Sequence, residues 1–255
     1  MGERIDLNAD LGESFGAYSM GADEAVLVYV TSANVACGFH AGDPSVIDRT
    51  VARAVGAGVA VGAHPGHCDL RGFGRREIAA DPAEVEADVV YQVGAVAAFA
   101  RAHGTHLTHV KPHGSLYNQA ARDGALAIAI ARGVARFSRD LVLVGLAGSE
   151  AMRRAAEAEG LRFAAEAFAD RAYDAEGRLV SRSRPGALIT DPASAAAKAL
   201  RIVRDHVVTS IDGVEVPLHA DTLCLHGDNP HALAIARAVR EALEGAGVSV
   251  QALPR

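Results

Sequence analysis

The chain has no tryptophan, and aromatic residues make up 5% of its 255 positions. Its core must therefore be aliphatic, which suits a 50% hydrophobic composition and a compact globular protein. Cysteine is scarce as well. Cys37, Cys68 and Cys224 are odd in number and form no CxxC pair, which argues against a disulfide framework and against a cysteine-built zinc site. Each stands near a histidine ("ACGFH", "PGHCD", "LCLHGD"), so a reactive thiol is considered, but a small buried hydrophobe is the preferred reading.

Long apolar runs are missing too. Nothing approaches the roughly 18 residues of a membrane span, and "MGERIDLNAD" enters a charged strand rather than an apolar leader. No membrane partner and a cytoplasmic location are expected. The net charge is −6 and the basic residues are scattered, which excludes nucleic acid as a partner. Nucleotide signatures are absent: there is no GxxxxGK[ST], "GLAGSE" lacks the lysine of a P-loop, and no GxGxxG follows the first strand.

What is present is alternation. Strand-length apolar runs fall at 4–9, 30–38, 59–63, 106–110, 141–147, 161–168, 187–190 and 222–226. Helical patterns lie between most of them, including "SVIDRTVARAVGAG" behind Asp43-Pro44, "AEVEADVVYQVGAVAAFARAHG" behind Asp81-Pro82, "GALAIAIARGVARF", and "PASAAAKALRIVRD" behind Asp191. The pattern predicts an α/β fold in one domain spanning residues 1–255: a TIM-like (β/α) barrel of about seven parallel strands. Polar residues end nearly every strand, which favours a closed barrel over an open sheet, since only a barrel gathers all its strand ends at one mouth. Two stretches interrupt the alternation. Residues 168–183 carry the "DAEG" turn and read as a projecting hairpin or lid, and 208–218 carry Asp212-Gly213 between β-branched residues and read as a second hairpin.

The strand ends deliver the chemistry: Asn8, Asp10 and Glu13; Asn34 and His40; His64; Lys111, His113, Tyr117 and Asn118; Glu166, Asp170 and Arg171; and finally His226 and Asp228. Asp43 reads as a helix cap, and Asp228 can cap the helix near Pro230. Asp10 and Glu13 divide between capping and function. Lys111 does not: a lysine closing an apolar strand before Pro112-His113 is poorly explained by solvation. Histidines and carboxylates in one mouth allow a divalent metal, with Asp10, His40 and His64 as candidate ligands, but no HxH or HxxxH spacing ties two of them together. Without a metal the same groups form a general acid–base site for a small polar molecule. Phosphate, if handled here, falls to Lys111, Arg171, Arg75, Arg76 and helix N-termini.

Together "IDLNADLGESFG", "SANVACGFHAGDP", "GVAVGAHPG", "GFGRR", "HVKPHGSLYNQA", "LVGLAGSE", "EAFADRAYDAEGRLVSRS" and "LCLHGDNPHAL" resemble the LamB/YcsF family over essentially the whole chain. That resemblance implies a barrel similar to those of glycoside hydrolases and polysaccharide deacetylases. It also implies ATP-dependent opening of the lactam 5-oxo-L-proline to L-glutamate, with ADP and phosphate released, by a complex with partner subunits B and C; ATP would come with Mg. On this reading Asp10 or His113 is the base for water, Lys111 meets developing negative charge, and His40, His64 and His226 orient or protonate the ring nitrogen. Asn8, Asn34, Asn118 and Arg171 would hold the substrate, with Glu13, Tyr117, Glu166 and Asp170 also lining its site. One departure from the family pattern is His67-Cys68 after "GAHPG", where the family usually carries an aromatic residue and then proline. Two rival expectations are a metal-dependent amide or N-acetyl hydrolase, and a non-catalytic lactam-binding subunit.

Overall fold

Along the first strand, β1 (Arg4–Leu11), Ile5, Leu7, Ala9 and Leu11 join the hydrophobic layer, and the alternate Asp6, Asn8 and Asp10 make the polar contacts of the barrel interior. A computed structural model describes residues 3–21, 23–182, 184–225 and 231–254 of the chain. After β1 come α1 (Asp23–Leu27), β2 (Ser32–Ala36), α2 (Pro44–Gly56), β3 (Ala60–His64), α3 (Pro82–Ala102) and β4 (His109–Val110). The chain continues with α4 (Gly114–Ala120), α5 (Gly124–Phe137), β5 (Val142–Leu146), α6 (Glu150–Ala158) and β6 (Arg162–Phe168). It ends with α7 (Pro192–Leu200), the antiparallel pair β7 (Val207–Thr209) and β8 (Glu215–Pro217), then β9 (Thr222–Cys224), α8 (Ala232–Gly245) and β10 (Ser249–Val250).

Among the described residues, β1, β2, β3, β4, β5, β6 and β9 pair in parallel in that order, and β9 pairs back onto β1. The barrel is closed with seven strands. β10 adds to β1 outside the ring through Arg4↔Ser249 and Ile5↔Val250. Capping aspartates start three of the helices. Asp43 accepts from Ser45 N and Val46 N at 2.9 Å, Asp81 accepts from Ala83 N, and Asp191 from Ser194 N, each just before a proline that opens its helix. The helical shell is small-residue packing: a Cβ on Gly133 of α5 would lie 2.8 Å from Val89 of α3, so the glycine lets these two helices meet closely.

The run at 187–190 is not a barrel strand. Leu188 makes an isolated antiparallel bridge to Arg171, and Ala187 packs with Ala172 and Val180 in a separate small cluster beneath the lid. Of its apolar residues only Ala187 joins that cluster; Leu188 is exposed and Ile189 packs against the main core, so strand-like composition does not make the run a barrel strand. The lid hairpin forms, with Tyr173 bridged to Leu179 around the turn at Asp174–Gly177, and the second hairpin is β7–β8. Helix α4 and strand β10 are features that the periodicity did not reveal.

Candidate functional site

The strands carry a polar column up the barrel to its mouth. At the bottom, the buried Asp6 carboxylate accepts from Thr31 and Ser32 hydroxyls at 2.6 and 2.7 Å and also from Thr222. Burial pushes Asp6 up despite those three donors. One layer higher, the Asn8 amide donates to Thr222 at 2.7 Å, and the Asn34 amide donates to Asn8 Oδ1 at 2.7 Å and to Asp10 Oδ1 at 2.8 Å. His109 Nε2 donates to Asn34 Oδ1 at 2.8 Å, while Thr108 bonds its Nδ1. Burial, with the Lys111 charge, pushes His109 down to about 3. The ring fits because Gly62 lies beside it on β3; a Cβ there would fall 2.2 Å from His109 Nε2.

Lys111 is the centre of the mouth. Its ammonium, 3% exposed, is 2.9 Å from Asp10 Oδ1, 2.8 Å from Glu166 Oε1, 3.3 Å from Asn8 Oδ1 and 3.1 Å from Cys224 Sγ. Burial works against the charged amine, but Asp10, Cys224 and Glu166 together outweigh it and hold Lys111 well above the usual lysine range. One buried cation thus faces two carboxylates, an arrangement that stays bound only because each charge has its partner. Tyr117 is buried beside Glu166, and burial together with that carboxylate's charge pushes its hydroxyl well up.

Next to this group stand three imidazoles. His64 Nε2 lies 3.3 Å from Asp10 Oδ2 and 3.0 Å from His113 Nδ1; the His40 and His113 rings stack at 3.7 Å between centroids, 2° from parallel. Glu13 Oε1 is 3.6 Å from both His40 Nε2 and His113 Nδ1. Burial and neighbouring imidazole charge hold His40 and His113 well below the ordinary histidine range, so both rings are neutral near pH 7. Glu13, His40, His64 and His113 form a cluster of donors able to hold a metal ion. Loop geometry permits it: Gly74, at φ +61°, brings its backbone against both stacked rings, where a Cβ would lie 2.8 Å from His40 and 2.9 Å from His113.

Above lies a cavity of about 720 Å³. Asp10, Glu13, His64, Lys111, His113, Tyr117, Asn118 and Arg171 line it. Asn8, Asn34 and Glu166 do not; they hold Asp10 and Lys111 from behind. His40 sits beneath His113, and Asp170 is buried at the root of the lid. Asn118 is at the exposed rim, its amide donating to Gly114 O at 2.9 Å. His226 and Asp228 lie outside the described residues. Of the metal candidates, His40 and His64 are in the four-residue cluster and Asp10 is beside it, while Glu13 and His113 complete it. The lid forms another wall, and Arg75, Arg171, Arg178 and Arg182 all line the cavity. Arg171 is 7% exposed, donates to Val180 O at 2.8 Å, and keeps its Nε without a hydrogen-bond partner. Burial and the Arg182 charge push it down to about 10. Arg76 is instead committed to Asp69. Cys37 and Cys224 are buried and Cys68 is exposed; all three are free thiols.

Two residues escaped the sequence reading. Gln92 on α3 donates to Gly66 O at 3.0 Å and accepts from Gly66 N at 2.9 Å, fixing the loop after β3. Its signal is a glutamine within the buried stripe Val85, Val89, Val93, Val96. His109 is the other, and its signal is its place one residue before the end of a strand, pointing inward.

A closed parallel β/α barrel whose mouth joins a buried lysine to carboxylates and imidazoles carries the chemical groups for acid–base work on a small polar molecule. Residues 5–255 match the LamB/YcsF family, and the chain belongs to it. A relative from Chloroflexus aggregans, named as the A subunit of 5-oxoprolinase, is 58% identical, covering 97% of this chain and 98% of that one. Another with the same name from Bordetella pertussis is 57% identical over 99% of this chain and all of that one. Among solved structures, the lactam utilization protein from Thermus thermophilus superposes with a TM-score of 0.93 at 54% identity, covering 98% of this chain and 100% of that one. A putative cellobiose-phosphate cleavage protein from Enterococcus faecalis shares the barrel alone, with a TM-score of 0.53 at 12% identity.

Proposed function

We propose that this chain is the A subunit of a 5-oxoprolinase, opening the lactam of 5-oxo-L-proline to L-glutamate with ATP, in a complex with subunits B and C. The observation that carries the reading is Lys111, buried between Asp10 and Glu166 at the floor of the cavity, in a chain 58% identical to a relative of that name.

A five-membered lactam is a stable amide with a poor leaving group. Phosphorylating its carbonyl oxygen with ATP releases ADP and leaves an electrophilic carbon. One water adds to that carbon, the ring nitrogen departs as the amine and takes a proton, and a second water hydrolyses the resulting acyl phosphate to the carboxylate and phosphate. Asp10 reaches the cavity at 15% side-chain exposure and serves as base for the attacking water. Lys111 stabilises negative charge growing on the carbonyl or phosphoryl oxygen. His64 and His113 border the same floor beside Asp10, with His40 stacked behind. Arg171, with Arg75 and Arg182 near it, supplies the positive wall for the substrate carboxylate or the phosphates, and Asn118 and Tyr117 border the ring. Asn8, Asn34 and Glu166 hold Asp10 and Lys111 in register.

The test is to mix the purified chain with 5-oxoproline and ATP, with and without subunits B and C from the same source, and measure glutamate and ADP together. Equal amounts of both, only in the full mixture, are expected. Glutamate formed without ATP would overturn the reading in favour of a simple amide hydrolase.

A further inference from the structure

The facing nitrogens of His64 and His113 pose a hydrogen-bond conflict. His64 Nδ1 lies 2.7 Å from Lys111 O, and His113 Nε2 lies 2.9 Å from Phe73 O. Carbonyl oxygens only accept, so both of those nitrogens carry the ring proton. In neutral rings the remaining nitrogens, His64 Nε2 and His113 Nδ1, are both lone pairs, yet they face each other at 3.0 Å. Two acceptors at that distance repel unless a cation or a shared proton lies between them.

Two more donors converge on the same point without partners. His40 is 0% exposed, and neither of its ring nitrogens has a hydrogen bond; Glu13 Oε1 is buried and likewise without one. Leaving such groups unmet costs about 1–3 kcal/mol each in a protein interior. The spacing suits an ion. With ligand bonds of about 2.1 Å, a tetrahedral site has ligand-to-ligand edges of roughly 3.4 Å, and the measured separations are 3.0 Å for His64–His113 and 3.6 Å for both Glu13–His113 and Glu13–His40. All four donor atoms lie within 4.8 Å of one another.

We propose that Glu13, His40, His64 and His113 bind one divalent transition-metal ion. Three imidazoles and one carboxylate select a zinc-like ion over magnesium or calcium, which prefer all-oxygen sites. The carbonyls of Lys111 and Phe73 act as outer supports that fix the ring orientations of His64 and His113. Glu13, His64 and His113 line the cavity, which provides the entry path. With four protein ligands such an ion would be coordinatively closed, tying the loops that carry Glu13, His40 and His113 to the end of β3. Binding of this kind belongs to the chain itself and stands whether or not the lactam reading holds.

The experiment is metal titration of the chelator-stripped full chain. Zinc is followed by calorimetry and by elemental analysis after gel filtration, and cobalt by its visible d–d bands. One ion per chain, tetrahedral cobalt bands and a zinc-dependent rise in Tm of several degrees are expected. His113→Gln and His40→Gln should each weaken binding at least 100-fold. His103→Gln, which removes a half-buried histidine paired with Asp48 outside the four-residue cluster, should change nothing. Variants are compared only where circular dichroism shows native structure, and the Tm shift of the wild-type chain stands as the readout independent of them. Absence of stoichiometric binding and of any Tm shift in the folded wild-type chain overturns the proposal, since a shared proton would then fill the gap. Binding that survives both glutamine variants overturns it as well, by placing the ion elsewhere.

Discussion

The two sides of the barrel interior are built on opposite principles. On the β1–β4 side, Asp6, Asn8, Asp10, Asn34, His109 and Lys111 form one connected hydrogen-bond network. On the β5 side, Val142 and Val144 meet Ala164 of β6 and Leu253 from the chain's end in a small apolar cluster, and Leu146 continues that wall to the cavity. The difference shows how a barrel holds charge. The apolar side lowers the local dielectric, which strengthens each contact in the network, but it also raises the cost of any member left without a partner.

Removing the central cation breaks the polar side most severely. Lys111→Met leaves Asp10 and Glu166 without their counter-charge, so a stability loss of about 3–5 kcal/mol is expected in urea unfolding. Turnover in the reconstituted complex should fall on the order of 10³-fold. Adding Glu166→Gln to Lys111→Met should restore part of the stability and none of the turnover, which separates the two effects.

A milder break is Asn34→Ala, which takes one donor from Asp10 and the acceptor from His109. A stability loss of about 1–3 kcal/mol is expected. The kcat should fall about tenfold, equivalent to about 1.4 kcal/mol of lost positioning, with KM nearly unchanged. On the apolar side, Val144→Ala should cost about 2 kcal/mol through the space it leaves, with turnover within about twofold of wild type. That contrast is the sharpest form of the comparison, because similar losses of stability then have unlike effects on chemistry.

The effect on chemistry is smallest for a change read as a slope of stability against pH. His109 is pushed down to about 3 in the folded chain, against about 6.5 when unfolded. Between those values the unfolded chain binds the extra proton, so stability is full above pH about 6.5 and is lost as pH falls toward 3. Asp6 and Glu13 act with the opposite sign, since burial raises them and the folded chain takes up their protons first. His109→Gln should therefore remove about 1.4 kcal/mol per pH unit from the acid-side slope, measured by urea unfolding from pH 6 to pH 4.5.

Much of this arrangement is legible in the sequence, because period-two alternation marks the strands and the residue that follows each apolar run lies at the mouth. Asp10, His64, Lys111 and His113 are found that way. Depth is not legible: alternation tells which face a side chain takes but not how far up the barrel it sits. Asn8 and Asn34 accordingly read as substrate groups, although they lie behind Asp10. Loop closure is equally hidden. The stacking of His40 on His113 depends on Gly74 and on Gln92 gripping Gly66, contacts between segments distant in the chain. Composition also misleads at 187–190, where an apolar run of strand length belongs to the lid.

Whether the charged side performs the chemistry is tested most directly by Asp10→Asn, which keeps the shape of the side chain and removes its charge and basicity. Glutamate formation would be measured in a single turnover of the proposed complex with subunits B and C, alongside 5-oxoproline binding. A rate lower on the order of 10³-fold, with binding within a few-fold of wild type, is the predicted result. A rate within threefold of wild type would contradict it and move the chemistry away from the floor of this barrel.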